Sequence, residues 1–271
     1  MKAWVNAIAA ATCVLFTPSV ATVVRAETRA APVCTIQGTS GPDKLSGTAG
    51  DDVICGRGGN DLLRGFGGRD TIFGGDGDDV LRGHGADDTI VGGHGDDTVE
   101  GGRRLDSLFG GLGQDRILGG LGYDEIHPGN GNDTVDGGPG FDRVHFASAV
   151  TVDLALGTAT GEGSDTLGYV QGVVGSHFSD RIYGNELRNA LWGGTGNDVI
   201  RARAGNDPLL RGNAGNDRLA GGGGNDRSEA GGSGDDVLRG GPGNDELRGG
   251  PGTDDCRQGA GSGSLVSCES P

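Results

Sequence analysis

The chain has 271 residues, of which 60 are glycine and only 4% are aromatic, and this composition excludes an ordinary globular core. It has 22 basic and 38 acidic residues, and its formal net charge is −16. Nucleic acids and anionic membranes attract basic surfaces, so this charge argues against both partners and favours cations.

Residues 1–26 have the layout of a secretory signal peptide. Lys2 precedes an apolar run from Ala3 to Val24, and small residues allow cleavage after Ala21 or after Ala26. The alternative is an uncleaved membrane anchor. No later stretch approaches the ~20 apolar residues that a membrane helix needs. We therefore expect a secreted, extracellular protein without a membrane span, with residues 27–37 as a short N-terminal lead-in.

Four cysteines follow the signal segment: Cys34, Cys55, Cys256 and Cys268. An even number in an exported chain predicts disulfides, and four cysteines allow three pairings. The local choice joins Cys34 to Cys55 and Cys256 to Cys268, with one bond at each end of the repeats. No CxxC spacing occurs, so we expect no metal site made of these thiols.

Residues 38–145 form a first repeat block, in which the pattern G-G-x-G-x-D-x-U-x occurs twelve times without insertion or deletion, where U is aliphatic. Gly74–Arg82 is a typical copy. The eighth position is Leu, Ile or Val in every copy, and the sixth is always aspartate. The sixth-position residues are Asp43, Asp52, Asp61, Asp70, Asp79, Asp88, Asp97, Asp106, Asp115, Asp124, Asp133 and Asp142.

The spacer, residues 146–174, contains no nonapeptide of this kind. Its apolar residues alternate with others in a way that predicts a β-strand; they are Val150, Val152, Leu154 and Leu156. Residues 157–168 are expected to be turn-like. We expect the spacer to continue the β-structure of the first block.

Residues 175–257 form a second, less regular repeat block of nine copies. The spacing lengthens to ten residues twice, and Ser228 and Cys256 replace the aliphatic residue. The sixth positions are Asp180, Asn189, Asp198, Asp207, Asp217, Asp226, Asp236, Asp245 and Asp254. Residues 258–271 form a Gly/Ser-rich tail, which we expect to be mobile except where Cys268 holds it.

The repeat predicts an all-β coil of two nonapeptides, or 18 residues. Glycine suits the turns at positions one to six, and positions seven to nine suit a short strand. The eighth side chains then point inward as two aliphatic ladders, and every second aspartate lies on the same edge. One column holds Asp43, Asp61, Asp79, Asp97, Asp115 and Asp133; the other holds Asp52, Asp70, Asp88, Asp106, Asp124 and Asp142.

These aspartate columns predict cation binding. Neighbouring coils are about 4.8 Å apart, and two carboxylates at that distance repel by roughly 1 kcal/mol even in water. A cation between coils would turn this repulsion into attraction. Carboxylate and carbonyl oxygens in irregular turns suit Ca²⁺ better than Mg²⁺, which needs a tight octahedron. We therefore expect multiple calcium ions and folding that depends on them.

The tandem motif resembles the RTX, or hemolysin-type, calcium-binding family over roughly residues 38–257. The resemblance implies a right-handed parallel β-roll, a β-solenoid. In it, the sixth-position aspartates of both blocks and backbone carbonyls hold Ca²⁺ between coils. Asn189 departs from this pattern. The signal segment, the paired cysteines and the Asp-x-Cys … Cys-Glu tail are similar to small secreted calcium-binding proteins of high-GC Gram-positive bacteria.

No enzyme motif accompanies the repeats. Neither HExxH nor GxSxG occurs, and the GxGxxG matches arise from the repeat itself. We therefore expect a non-catalytic, calcium-binding β-roll with a structural or cell-surface interaction role. The alternative is a secreted hydrolase or lyase acting on extracellular polysaccharide, using a non-repeat carboxylate such as Asp153 or Glu162.

Overall fold

The computed structural model describes residues 33–268, and the regular structure of this part of the chain is β-structure alone. Its strands are β1 Ile36–Gln37, β2 Lys44–Ser46, β3 Val53–Gly58, β4 Leu62–Phe66, β5 Thr71–Asp76, β6 Val80–Gly85, β7 Thr89–His94, β8 Thr98–Arg103, β9 Ser107–Leu112, β10 Arg116–Leu121, β11 Glu125–Asn130, β12 Thr134–Asp136, β13 Arg143–His145, β14 Thr151–Asp153, β15 Thr158–Thr160, β16 Ser164–Gly168, β17 Gly172–Val174, β18 Arg181–Tyr183, β19 Ala190–Thr195, β20 Val199–Arg201, β21 Leu209–Ala214, β22 Arg218–Ala220, β23 Arg227–Gly231, β24 Val237–Arg239, β25 Glu246–Arg248, β26 Asp255–Arg257 and β27 Ser264–Val266.

The strands form two sheets. Sheet A has 13 strands in the order β1-β3-β5-β7-β9-β11-β13-β17-β19-β21-β23-β25-β27. Sheet B has 14 strands in the order β2-β4-β6-β8-β10-β12-β16-β15-β14-β18-β20-β22-β24-β26. Successive repeats alternate between the sheets, and nearly all pairings are parallel, which confirms the predicted β-solenoid.

The register confirms the predicted coil of 18 residues in the first block. Ile54 pairs with Ile72 in sheet A, and Leu63 pairs with Leu81 in sheet B. In the second block some coils take 19 residues; Leu191, for example, pairs with Leu210. The two ten-residue spacings supply the extra residues, so the eighth positions stay aligned.

The core is a pair of inward-facing ladders made by the eighth-position side chains. Ile72, Leu81 and Ile90 are fully buried, as the two-residue alternation of a strand predicts. Ser228 and Cys256 take the same inward place in the second block and are also buried. The ladders therefore continue through the positions where the sequence departs from an aliphatic residue.

Two disulfides lie near the ends of the described stack. Cys34 is bonded to Cys55 in β3, and Cys256 in β26 is bonded to Cys268. Both bonds confirm the local pairing. The predicted signal peptide, residues 1–26, lies outside the described residues.

The spacer adds an antiparallel segment to sheet B. Strand β15 pairs antiparallel with both β14 and β16, while β12 pairs with β16 and β14 pairs with β18 in parallel. In sheet A, β13 pairs directly with β17. The chain therefore makes an extra hairpin on one sheet without interrupting the other.

Two details of the spacer prediction were wrong. Residues 157–168 are not mainly a turn, because β15 and β16 both lie there. Ala159 and Leu167 are buried on the inner face despite the surrounding glycines. The predicted strand is shorter than the apolar pattern, since β14 ends at Asp153 and Leu156 is 75% exposed.

The C-terminal tail contributes one strand. Strand β27 pairs in parallel with β25, a feature that the Gly/Ser-rich composition did not indicate. No helix between residues 33 and 268 is long and apolar enough to cross a membrane.

Candidate metal centre

The fold stacks the sixth-position aspartates in two columns. The backbone N–H of Asp79 donates to Oδ1 of Asp97 at 2.8 Å, and that of Asp88 donates to Oδ1 of Asp106 at 2.8 Å. The same bond recurs from coil to coil through both blocks, as between Asp236 and Asp254. From Asp61 onward, each carboxylate thus uses one oxygen to hold the coil before it, and residues of one edge are brought together as the sequence predicts.

The second oxygen of most of these carboxylates is buried and receives no hydrogen bond from residues 33–268. The side chains are at most 3% exposed. This group consists of Asp61, Asp70, Asp79, Asp88, Asp97, Asp106, Asp115, Asp124, Asp133, Asp142, Asp198, Asp207, Asp217, Asp226, Asp236 and Asp245. A buried carboxylate oxygen without a donor is costly, so each one marks a place where a positive charge would be stabilising.

Burial makes ionisation of the columns unfavourable. The pKa of Asp97 is raised to about 7 and that of Asp106 to about 8, mainly by burial and in smaller part by the negative charges of the same column. The hydrogen bond from the preceding coil acts in the opposite direction but is the smaller effect. Without a compensating cation, the columns therefore favour protonated carboxyl groups.

The first-position glycines leave room for these oxygens. A Cβ atom on Gly74 would lie 2.3 Å from Oδ2 of Asp79 and 2.5 Å from the carbonyl oxygen of Gly92. Only glycine fits there, because carboxylate and carbonyl oxygens occupy the space a side chain would take. A carboxylate oxygen and a carbonyl oxygen side by side are ligands suited to a hard cation.

The columns do not form carboxylate cages. Nowhere in the described part of the chain do three or more His, Cys, Asp or Glu side chains gather as a metal-binding group. A cation held between coils would therefore take its remaining ligands from turn carbonyls. The residues present fit Ca²⁺ on this basis, and the assignment of each aspartate as a ligand stays a prediction.

The first coils of each block differ from the rest. Oδ2 of Asp43 accepts hydrogen bonds from the backbone N–H and hydroxyl of Thr39, at 2.6 and 2.9 Å. Asp52 is held in the same way by Thr48, and Asp180 by Ser176. These three predicted ligands therefore already have protein donors on the oxygen that is otherwise without one.

A second ladder, which the sequence analysis missed, lies at the fifth position. The N–H of Asp96 donates to Oδ1 of Asp78 at 3.0 Å, and the N–H of Asn216 donates to Oδ1 of Asn197 at 2.8 Å. At the fifth position the N–H of the later coil donates to the side chain of the earlier coil, whereas at the sixth position the N–H of the earlier coil donates to the later one. The frequent Asn and Asp at the fifth position were the available signal.

Both non-repeat carboxylates named for the alternative function accept hydrogen bonds from other parts of the protein. Asp153 accepts two hydrogen bonds from the guanidinium of Arg203, at 2.8 and 2.6 Å, which lowers its pKa. Oε1 of Glu162 accepts the N–H groups of Ala147 and Ser148. These contacts give both residues a structural role.

Comparison with protein families gives one consistent result. The RTX calcium-binding nonapeptide repeat matches residues 35–63, 64–99, 92–126, 109–144, 175–207, 209–228 and 230–265. No curated protein matches the chain significantly. The matches cover most of the described stack, including both aspartate columns. The chain therefore belongs to the RTX calcium-binding nonapeptide repeat family, whose repeats bind Ca²⁺ at multiple sites.

Proposed function

We propose that this chain is a secreted, non-catalytic calcium-binding β-roll whose folding is coupled to calcium binding in its aspartate columns. Its role is structural or lies in interactions at an extracellular or cell surface. Family membership already implies calcium binding with a structural role. The observation that carries the proposed coupling to folding is the buried Oδ2 atom repeated along both columns without a donor from residues 33–268.

The coupling follows from the burial of like charges. Carboxylates in one column raise each other's pKa, as Asp88 and Asp124 do for Asp106. Unfolding exposes these groups to water and separates them, so a calcium-free stack is destabilised at neutral pH. Calcium that binds only the folded chain shifts the equilibrium by RT ln(1 + [Ca²⁺]/Kd) at each site, about 2.7 kcal/mol at 100 times Kd.

Two observations support secretion. The described chain contains two disulfides, and such bonds persist in oxidising compartments. Residues 1–26 have the composition of a signal peptide. N-terminal sequencing of the exported protein should find Thr22 or Glu27 as its first residue. Recovery of an uncleaved chain from membranes would contradict this part of the proposal.

The decisive experiment for folding is a calcium titration of the chain without residues 1–26, followed by far-ultraviolet circular dichroism. We expect the β-structure signal to develop with calcium. Equimolar magnesium, and sodium chloride at matched ionic strength, should produce much less. These controls separate site binding from charge screening. Full β-structure in excess chelator at pH 7.5 would show that folding does not require the metal.

A further inference from the structure

One aspartate column consists of the residues that directly precede the strands of sheet B. This column continues into the spacer through Asp165, which lies outside the matched repeats. The backbone N–H of Asp133 donates to Oδ1 of Asp165 at 3.1 Å, across 32 residues of sequence instead of the usual 18. Strand β16 makes this possible, because it pairs in parallel with β12 while the hairpin of β14 and β15 lies beyond it. Asp165 therefore stands where the next sixth-position aspartate would be.

Asp165 shares the features of the repeat aspartates. It is 3% exposed, and its Oδ2 is buried with no hydrogen-bond donor from the described residues. The surrounding sequence, Thr160–Gly168, reads T-G-E-G-S-D-T-L-G and keeps the aspartate and aliphatic positions of the nonapeptide. Asp165 thus has a buried carboxylate oxygen without a donor from the described residues, as the repeat aspartates do.

We propose that Asp133 and Asp165 hold a further calcium ion, at the junction between the first repeat block and the spacer. This site rests on the proposed function, because it requires that the columns bind calcium. Glu162 adds a third negative charge that acts on both aspartates. The ion would fix the hairpin segment to the first block.

The opposite edge of the spacer is built differently. There the N–H of Asp142 donates to Oε1 of Gln171 at 2.8 Å, and Nε2 of Gln171 donates to the carbonyl of Tyr169 at 3.2 Å. In the next coil Nδ2 of Asn189 donates to the carbonyl of Gln171 at 3.4 Å. An amide keeps the ladder bond and replaces the second oxygen with a donor, so these positions need no cation. At this level the spacer therefore supplies a buried carboxylate oxygen without a donor from the described residues on one edge only, at Asp165.

The test is the calcium stoichiometry of the chain without residues 1–26, measured by equilibrium dialysis and titration calorimetry. Asp165→Asn should bind one calcium fewer than the unsubstituted chain, because Asp165 borders a single gap. The matched control is Gln171→Glu, which places a carboxylate at the same level on the other edge. It should gain one calcium, adjacent to Asp142.

The outcomes separate the two proposals. Absence of calcium binding by the unsubstituted chain would overturn the proposed function and this site together. Calcium binding by that chain with unchanged stoichiometry in Asp165→Asn would overturn this site alone. Circular dichroism in saturating calcium checks that the variant folds. If it does not, Glu162→Gln, which keeps both backbone hydrogen bonds, should weaken one site several-fold; unchanged affinities would overturn the proposal.

Discussion

The substitution Asp106→Asn should have opposite effects on stability with and without calcium. Asp106 is 1% exposed, its Oδ1 accepts the N–H of Asp88, and its pKa of about 8 compares with an ordinary 3.8. Once the group is ionised, that rise corresponds to a loss of on the order of 5 kcal/mol in the free energy of unfolding. Asparagine keeps the ladder bond and removes the charge. If half of this energy is recovered, Tm in chelator at pH 8, with sucrose added to populate the fold, should rise by about 5–10 °C.

In saturating calcium the sign should reverse, because the variant lacks a ligand between coils. Losing one site at 100 times its Kd costs about 2.7 kcal/mol, which lowers Tm by about 5–10 °C. Differential scanning calorimetry under both conditions measures the two shifts. Asp96→Asn is the matched control: it removes one charge from the exposed fifth-position ladder and should change both values little. A shift of the same sign under both conditions would refute the cation as the reason for the carboxylate.

Three further predictions follow from the same columns. In chelator, the β-structure measured by circular dichroism should decrease from pH 4 to pH 8, because folded groups such as Asp106 bind protons that the unfolded chain has lost; a flat profile would contradict this. Asp79→Ala should weaken calcium binding and hydrogen-exchange protection mainly on its own edge, and equal losses on both edges would be inconsistent with the coil. Gly74→Ala should destabilise the calcium-bound chain by about 1–3 kcal/mol in thermal denaturation, since its Cβ would lie 2.3 Å from Oδ2 of Asp79. Gly58→Ala, whose Cβ would approach no atom closer than 3.6 Å, should have a much smaller effect in the same assay.

The regular part of the fold could be predicted because a nine-residue period leaves one geometry for both its carboxylate and its aliphatic residue. The register of Ile54 with Ile72, and the bond from Asp79 to Asp97, follow directly from that period. The spacer could not be predicted in this way. Its strands pair out of chain order, and the place of Asp165 depends on a hairpin whose length no local pattern specifies.

The end coils show a different limit of sequence reasoning. Asp43 carries the same motif as Asp79, yet Thr39 replaces the second glycine and donates to its carboxylate. The repeat pattern treats the second position as a turn residue, so it gave no sign that a hydroxyl there satisfies the sixth-position side chain. Side-chain partners within a turn depend on backbone direction, which the period does not encode.

The contrast between the two ladders indicates why the sixth position is aspartate. At the fifth position Asn197 accepts the ladder N–H with its amide oxygen, and in the sixth-position column Gln171 does the same. The ladder bond therefore does not require a carboxylate. Aspartate at a buried position adds a second acceptor oxygen and a charge, both of which destabilise the fold by themselves. A cation is the partner that makes use of both. Where an amide replaces the aspartate, its own N–H donates to a backbone carbonyl instead. The choice between carboxylate and amide along each column thus predicts which gaps bind calcium.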